Sequence, residues 1–295
     1  MSGNQSYYVP ESSIWPIVGS IGMLLLFFGF GSLLVNQSNG DPTTTAWVLF
    51  TVGALTLIYM IVGWVRDVIN ESRAGLYDAQ MDGSFRQGMA WFIFSEVAFF
   101  AALFGALFYV RVFAVPWLGG EGAKGAANML WQGFEAQWPL INNPDSSAFK
   151  GPDSVISAWG LPLLNTVLLV TSSITLTLSH KALMHDKRKP AINWLALTVL
   201  LGAVFLFFQV EEYIEAYTHL NLTLDSGIYG SLFFLMTGFH GLHVLLGGII
   251  LSVILVRLIK GHFSSHDHFG YEAGAWYWHF VDVVWIILFI FVYVV

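Results

Sequence analysis

Long apolar stretches recur along the whole of this chain, separated by short polar breaks. A run of about 20 apolar residues is long enough to cross a bilayer core as an α-helix. The pattern predicts seven such helices, at about 15–35, 45–65, 89–114, 155–179, 192–216, 228–258 and 274–294. The sixth is long enough to tilt or to project beyond the bilayer. Trp15, Trp47, Trp64, Trp117, Trp159 and Trp194 fall near the ends of these segments, where aromatic belts form. The longest polar break, 116–153, is too short for a soluble domain, and no internal repeat of the transporter kind stands out. The fold expected is all-α and polytopic.

Composition agrees with that pattern. Hydrophobic residues make up 56% and charged residues 11%, where soluble domains carry about 25% charged. The absence of cysteine removes disulfides, thiolate metal sites, iron–sulfur clusters and thioether-linked haem. A net charge of −7 with no basic tract gives no sign of a nucleic-acid partner. Residues 1–10 carry no Lys or Arg and no cleavage pattern, so no signal peptide is expected. With seven spans, nine of the twelve basic residues fall on one side: Arg66, Arg73, Arg86, Lys181, Lys187, Arg188, Lys189, Arg257 and Lys260. Arg111, Lys124 and Lys150 fall on the other. That asymmetry places the N-terminus in the cytoplasm and the C-terminus outside.

Polar residues inside the spans are the candidates for chemistry. Glu96 stands alone in Trp91–Phe100, ten residues after Arg86 and fifteen before Arg111. An ionised, unpaired carboxylate there costs several kcal/mol, in the range of about 2.5–3.5 on insertion scales, so the residue is either a protonated interhelical link or a proton-handling, partner-facing group. In the sixth span His240, His243 and Gly247 share one helical face. Two histidines without a nearby carboxylate or thiolate are a weak metal signal, so buried hydrogen bonding between helices is the expected role. In the last span His279 and Asp282 are three apart and able to pair, again as part of an interhelical polar network. Glu211, Glu212 and Glu215 read as a solvated acidic rim, with a cation or basic-partner site as the alternative. Arg66 and Arg86 are placed to hold lipid phosphates. His262, His266 and His268 read as residues of a solvated loop, with metal binding or proton buffering at the surface as the alternative.

Taken in order, these segments resemble subunit III of the haem–copper cytochrome c oxidases, of bacterial type. The matching pieces are Trp15-Pro16, Trp64-Val65-Arg66-Asp67, Gly88-Met89, Phe92 to Val97 with Phe99-Phe100, and Pro162 to Thr166 with Ser172-Ser173. Phe208-Gln209 with Glu212-Tyr213, Tyr229-Gly230-Ser231, Gly238 to His243 and Trp276 to Trp285 complete the series. The resemblance implies a two-helix N-terminal unit (1–70) and a five-helix bundle (71–295, with an outer loop at 116–153), separated by a lipid-filled V-shaped cleft. It implies that Glu96 is the intramembrane carboxylate facing subunit I, that Arg66 and Arg86 lie near lipid head groups, and that His240, His243, His279 and Asp282 are packing positions. No cofactor is expected on this chain beyond bound phospholipid. Haem a, haem a3 and copper would belong to subunits I and II, and cytochrome c would dock through subunit II. The setting implied is a bacterial inner membrane and an aa3-type, proton-pumping respiratory oxidase.

Two departures stand out. The family's Gly-x-His-Thr segment is replaced by Tyr77-Asp78-Ala79-Gln80-Met81, and the loop at 116–153 looks long. Subunit III of a quinol oxidase is the nearest alternative, though such relatives commonly lack the first two helices. A seven-helix retinal receptor needs a lysine in its last helix, and 274–295 has none. A secondary transporter needs paired broken helices, and Pro162 has no clear mate.

Overall fold

A computed structural model of the 295-residue chain describes residues 12–295. The reading of residues 1–10 therefore lies outside the described residues. Seven helices long and apolar enough to cross a membrane follow one another: α1 (Trp15–Asn39), α2 (Thr44–Arg73), α3 (Ala79–Leu118), α4 (Leu161–Met184), α5 (Arg188–His219), α6 (Ile228–Lys260) and α7 (Phe269–Val294). No strand is present among the described residues.

Local chemistry moves several boundaries away from the hydropathy pattern. The third helix starts at Ala79 rather than 89, because the Asp78 carboxylate accepts the Met81 amide at 2.8 Å and caps the first turn. At 40 residues it is about 60 Å long, twice a bilayer core, and its last turns widen to a π-turn at Val110–Ala114 before Pro116. The fourth helix starts at Leu161 rather than 155. Gly160 is non-helical there, and Pro162 occupies the first turn, where its missing N–H is not needed. Pro162 thus opens this span and does not break it. The second helix continues past 65 to Arg73, so Arg66 and Asp67 sit on helix and not in a loop.

The chain divides into two compact units, one ending at Phe85 and the other running from Arg86 to Val295. In the first, α1 and α2 pack backbone to backbone. A Cβ at Gly29 would lie 2.4 Å from the Phe50 amide nitrogen, and one at Gly53 2.4 Å from the Leu26 nitrogen. Small residues permit such contact, which carries helix association where lipid removes the hydrophobic drive. At one end of the pair the Trp15 indole donates to the Asp67 carboxylate at 2.7 Å and meets Tyr59 edge-on.

The second unit centres on α7, the most buried span. Trp278 lies between α4, α5 and α6. Its Nε1–H donates to Ser172 Oγ at 2.9 Å, and its six-membered ring fills the space that side chains at Gly202 and Gly247 would need. The α3 helix joins this bundle through rings, not backbone contact: Phe92 on Tyr277, Phe99 on Phe239 and Phe100 on Phe280. The long loop is tied to the bundle's own α5–α6 connection. Asn143 donates to the Phe149 and Ser226 carbonyls, the Asp153 amide donates to Leu220, and Asn221 donates to the Asp153 carboxylate. Within it Asp145 accepts from Ser147 Oγ and the Ala148 amide, bonds that hold its carboxyl below the usual aspartate range.

Candidate functional site: an acid–base pair between membrane helices

Glu96 points from α3 toward α6, where its Oε2 lies 2.8 Å from His243 Nε2. Phe99 and Phe100 flank the imidazole, leaving the two side chains 20% and 12% exposed. The lack of a nearby carboxylate in the sequence around His243 is corrected here: the carboxylate comes from a helix 147 positions away. The tautomer follows from geometry. His243 Nδ1 is 2.6 Å from the Phe239 carbonyl, which only accepts, so Nδ1 carries a hydrogen. Nε2 and Glu96 then share one proton, either as a neutral acid and neutral imidazole or as carboxylate and imidazolium. Both forms are neutral overall, which removes the cost of an isolated charge in the span.

The other polar positions on these helices do not bond to one another. His240, 1% exposed, donates from Nε2 to the Val281 carbonyl at 3.2 Å and packs against Phe205 and Trp285. His279 does not pair with Asp282. Its Nδ1 meets Ser173 Oγ at 2.5 Å, and Ser173 is also the polar neighbour of Asp282. The four therefore link three pairs of elements: His243 joins α6 to α3, His240 joins α6 to α7, and His279 and Asp282 both join α7 to α4, which supplies a hydroxyl that hydropathy gives no reason to single out.

At the opposite end of the bundle from the long loop, Arg86 does not stand alone for a phosphate. Its guanidinium pairs with Glu272 and lies 5.0 Å over the Phe269 ring. His268 is not a loop residue at large: it occupies the N-cap position of α7, and its Nε2 lies 3.3 Å from Glu272 Oε1. His180 Nε2 lies 4.0 Å from the same oxygen, so His180, His268 and Glu272 bring metal-capable atoms within 4.8 Å of one another. Neither His180 nor Glu272 draws notice in the sequence; the link from Glu272 to Arg86 spans 186 positions. Arg66 is exposed on α2.

The acidic rim is also revised. Glu211 and Glu215 are exposed, but Glu212 is wholly buried, with Tyr293 Oη donating to its Oε1 at 2.5 Å and Gln209 Nε2 at 3.3 Å. The signal was present: Leu195, Thr198, Gly202, Phe205, Gln209, Glu212 and Ala216 form one buried helical stripe.

Seven membrane-crossing helices, with an acid–base pair held between two of them, define a multi-pass membrane protein whose polar chemistry sits inside its spans. The family model described as cytochrome c oxidase subunit III matches residues 5–130 and 151–295. The gap between the matched segments falls in the long loop. Proteins named cytochrome c oxidase subunit 3 are similar along nearly the whole length. That of Tetraodon nigroviridis is 37% identical over 295 residues, covering 98% of this chain and 96% of its own. That of Xenopus laevis is 39% identical over 295 residues, with the same coverage of both chains. The chain belongs to the cytochrome c oxidase subunit III family, and it is a subunit of that respiratory oxidase rather than a transporter or a receptor.

Proposed function

We propose that this chain is the non-redox core subunit of a proton-pumping, aa3-type cytochrome c oxidase, stabilising subunit I and supporting proton uptake during oxygen reduction. The observation that carries this reading is the Glu96–His243 pair, an acid and a base 2.8 Å apart between two membrane helices. Haem a, haem a3 and copper reside in subunits I and II on this reading, and cytochrome c delivers electrons through subunit II. Bound phospholipid is the only small-molecule ligand assigned to this chain. Arg66, exposed on α2, is the contact for a lipid phosphate, and Arg86 serves by orienting Glu272 as well as by its charge. The division into a two-helix unit and a five-helix bundle is retained, with the N-terminus cytoplasmic and the C-terminus periplasmic in a bacterial inner membrane; the nine-to-three distribution of basic residues supports that orientation.

Glu96→Gln keeps the volume and a hydrogen bond to His243 but cannot give up a proton. The expected result is normal assembly with faster loss of activity over successive turnovers. Inactivation kinetics equal to wild type would remove Glu96 from proton uptake.

A further inference from the structure

The α4–α5 contact follows one stripe on each helix. Thr175 Oγ1 meets Thr198 Oγ1 at 2.8 Å, and Ser179 Oγ donates to the Ala191 carbonyl at 2.6 Å. From that cross-link toward the end bearing the long loop, Asn165 lies ten residues before Thr175 and Gln209 eleven after Thr198. Those steps are about 15 Å and about 16 Å along helices rising 1.5 Å per residue. Antiparallel packing therefore sets Asn165 level with Gln209, and Glu212 one turn further. All three lie on the buried stripes: Asn165 and Glu212 have no exposed surface, and Gln209 is 5% exposed. The C-terminal helix closes the same level. Trp285 Nε1 donates at 3.0 Å to Thr166, the neighbour of Asn165, and Tyr293 donates to Glu212.

Four buried polar atoms in this group have no protein partner: Asn165 Nδ2, Asn165 Oδ1, Gln209 Oε1 and Glu212 Oε2. Buried polar atoms are nearly always satisfied, so four unpaired ones at one level indicate a ligand. Glu212 takes both its hydrogen bonds on Oε1, from the neutral groups Tyr293 and Gln209. An ionised carboxylate with no exposure and only neutral donors is its costliest state. Protonated on Oε2, it becomes a donor. The unpaired set then comprises two donors, the Asn165 amide and the Glu212 hydroxyl, and two acceptors, Asn165 Oδ1 and Gln209 Oε1. That is the complement of water, which bonds to two to four buried polar groups. A sodium ion would call on the oxygens alone and would leave the Asn165 amide hydrogens unpaired.

We propose that Asn165, Gln209 and Glu212 form a buried water-binding site in which Glu212 is a protonated carboxyl, distinct from Glu96. The water bridges α4 to α5, and through Tyr293 the site holds the last turn of α7.

The test uses the assembled oxidase in lipid nanodiscs and infrared absorption of protonated carboxyl groups. The expected result is that Glu212→Gln removes one carbonyl band that survives in Glu96→Gln, while Asn165→Leu keeps that band and moves it to higher frequency as the bridge is lost. A high-resolution map of the wild-type complex, which needs no variant to fold, is expected to show density within hydrogen-bond distance of both Glu212 Oε2 and Asn165. A band that does not depend on Glu212 at neutral pH, or a thermal midpoint that rises with sodium in wild type but not in Glu212→Gln, would overturn the protonated acid. An unmoved band in Asn165→Leu together with a dry map would overturn the water.

Discussion

Trp278→Ala is expected to loosen the whole five-helix bundle, with the thermal midpoint of this subunit's release from the solubilised complex falling by roughly 5–10 °C. The indole is 1% exposed and touches α4, α5 and α6 at once from α7. Trp→Ala costs about 3–5 kcal/mol in a water-soluble core. Part of that is transfer out of water, which is missing when the separated helices remain in lipid. The cavity and the lost dispersion contacts remain, and about 2–3 kcal/mol is the expected loss. Neighbours cannot close the gap cheaply, because Gly202 and Gly247 have no side chains to move into it. Trp278→Phe keeps most of the volume and loses only the bond to Ser172, so its shift is expected to be less than half as large. A wild-type midpoint for Trp278→Ala would show that the indole does not hold the bundle.

Gly53→Val is expected to separate α1 from α2. The new Cβ would lie 2.4 Å from the Leu26 nitrogen and 2.9 Å from the Gly22 carbonyl oxygen, and both are backbone atoms. A clash with a side-chain tip is relieved by a rotamer change, but this one requires the helix axes to move apart along the whole contact. Overpacking of this kind costs about 1–3 kcal/mol. The cysteine-free chain allows a direct readout. Single cysteines introduced as Gly19→Cys and Met60→Cys sit where the two helices touch, since Met60 Cε is 3.3 Å from a Cβ at position 19. Oxidative cross-linking in the Gly53→Val background is expected to fall about fivefold or more. An unchanged yield would mean that the helices are held by something other than close backbone approach.

The seven spans were legible because a bilayer imposes one strong condition, a sustained apolar run, and the chain meets it seven times. Helix ends were less legible. Asp78 extends α3 by ten residues through one capping bond, and Pro162 with Gly160 delays α4 by six, effects too local to register in a hydropathy window. Glu96 was visible as a lone charge in an apolar run, but nothing near it in sequence names its partner. The same holds for Arg86 with Glu272, and for His279 with Ser173. Glu212 was misplaced because its neighbours Glu211 and Glu215 suggested solvent, while the buried stripe it belongs to points inward.

By itself the sequence determined that this protein is a multi-pass helical bundle, that it has no thiolate chemistry, that it carries a carboxyl within its third span, and which family it resembles. Those properties depend on residue type and local order, and local order is what a helix in lipid reads. Only the tertiary structure decided that Glu96 shares a proton with His243, that Arg86 is committed to Glu272, and that Glu212 is sealed beneath Tyr293. Each of these is a contact between helices far apart in the chain. Such contacts are set by helix register and rotation, which the close-packed glycines and Trp278 fix and which no single segment encodes.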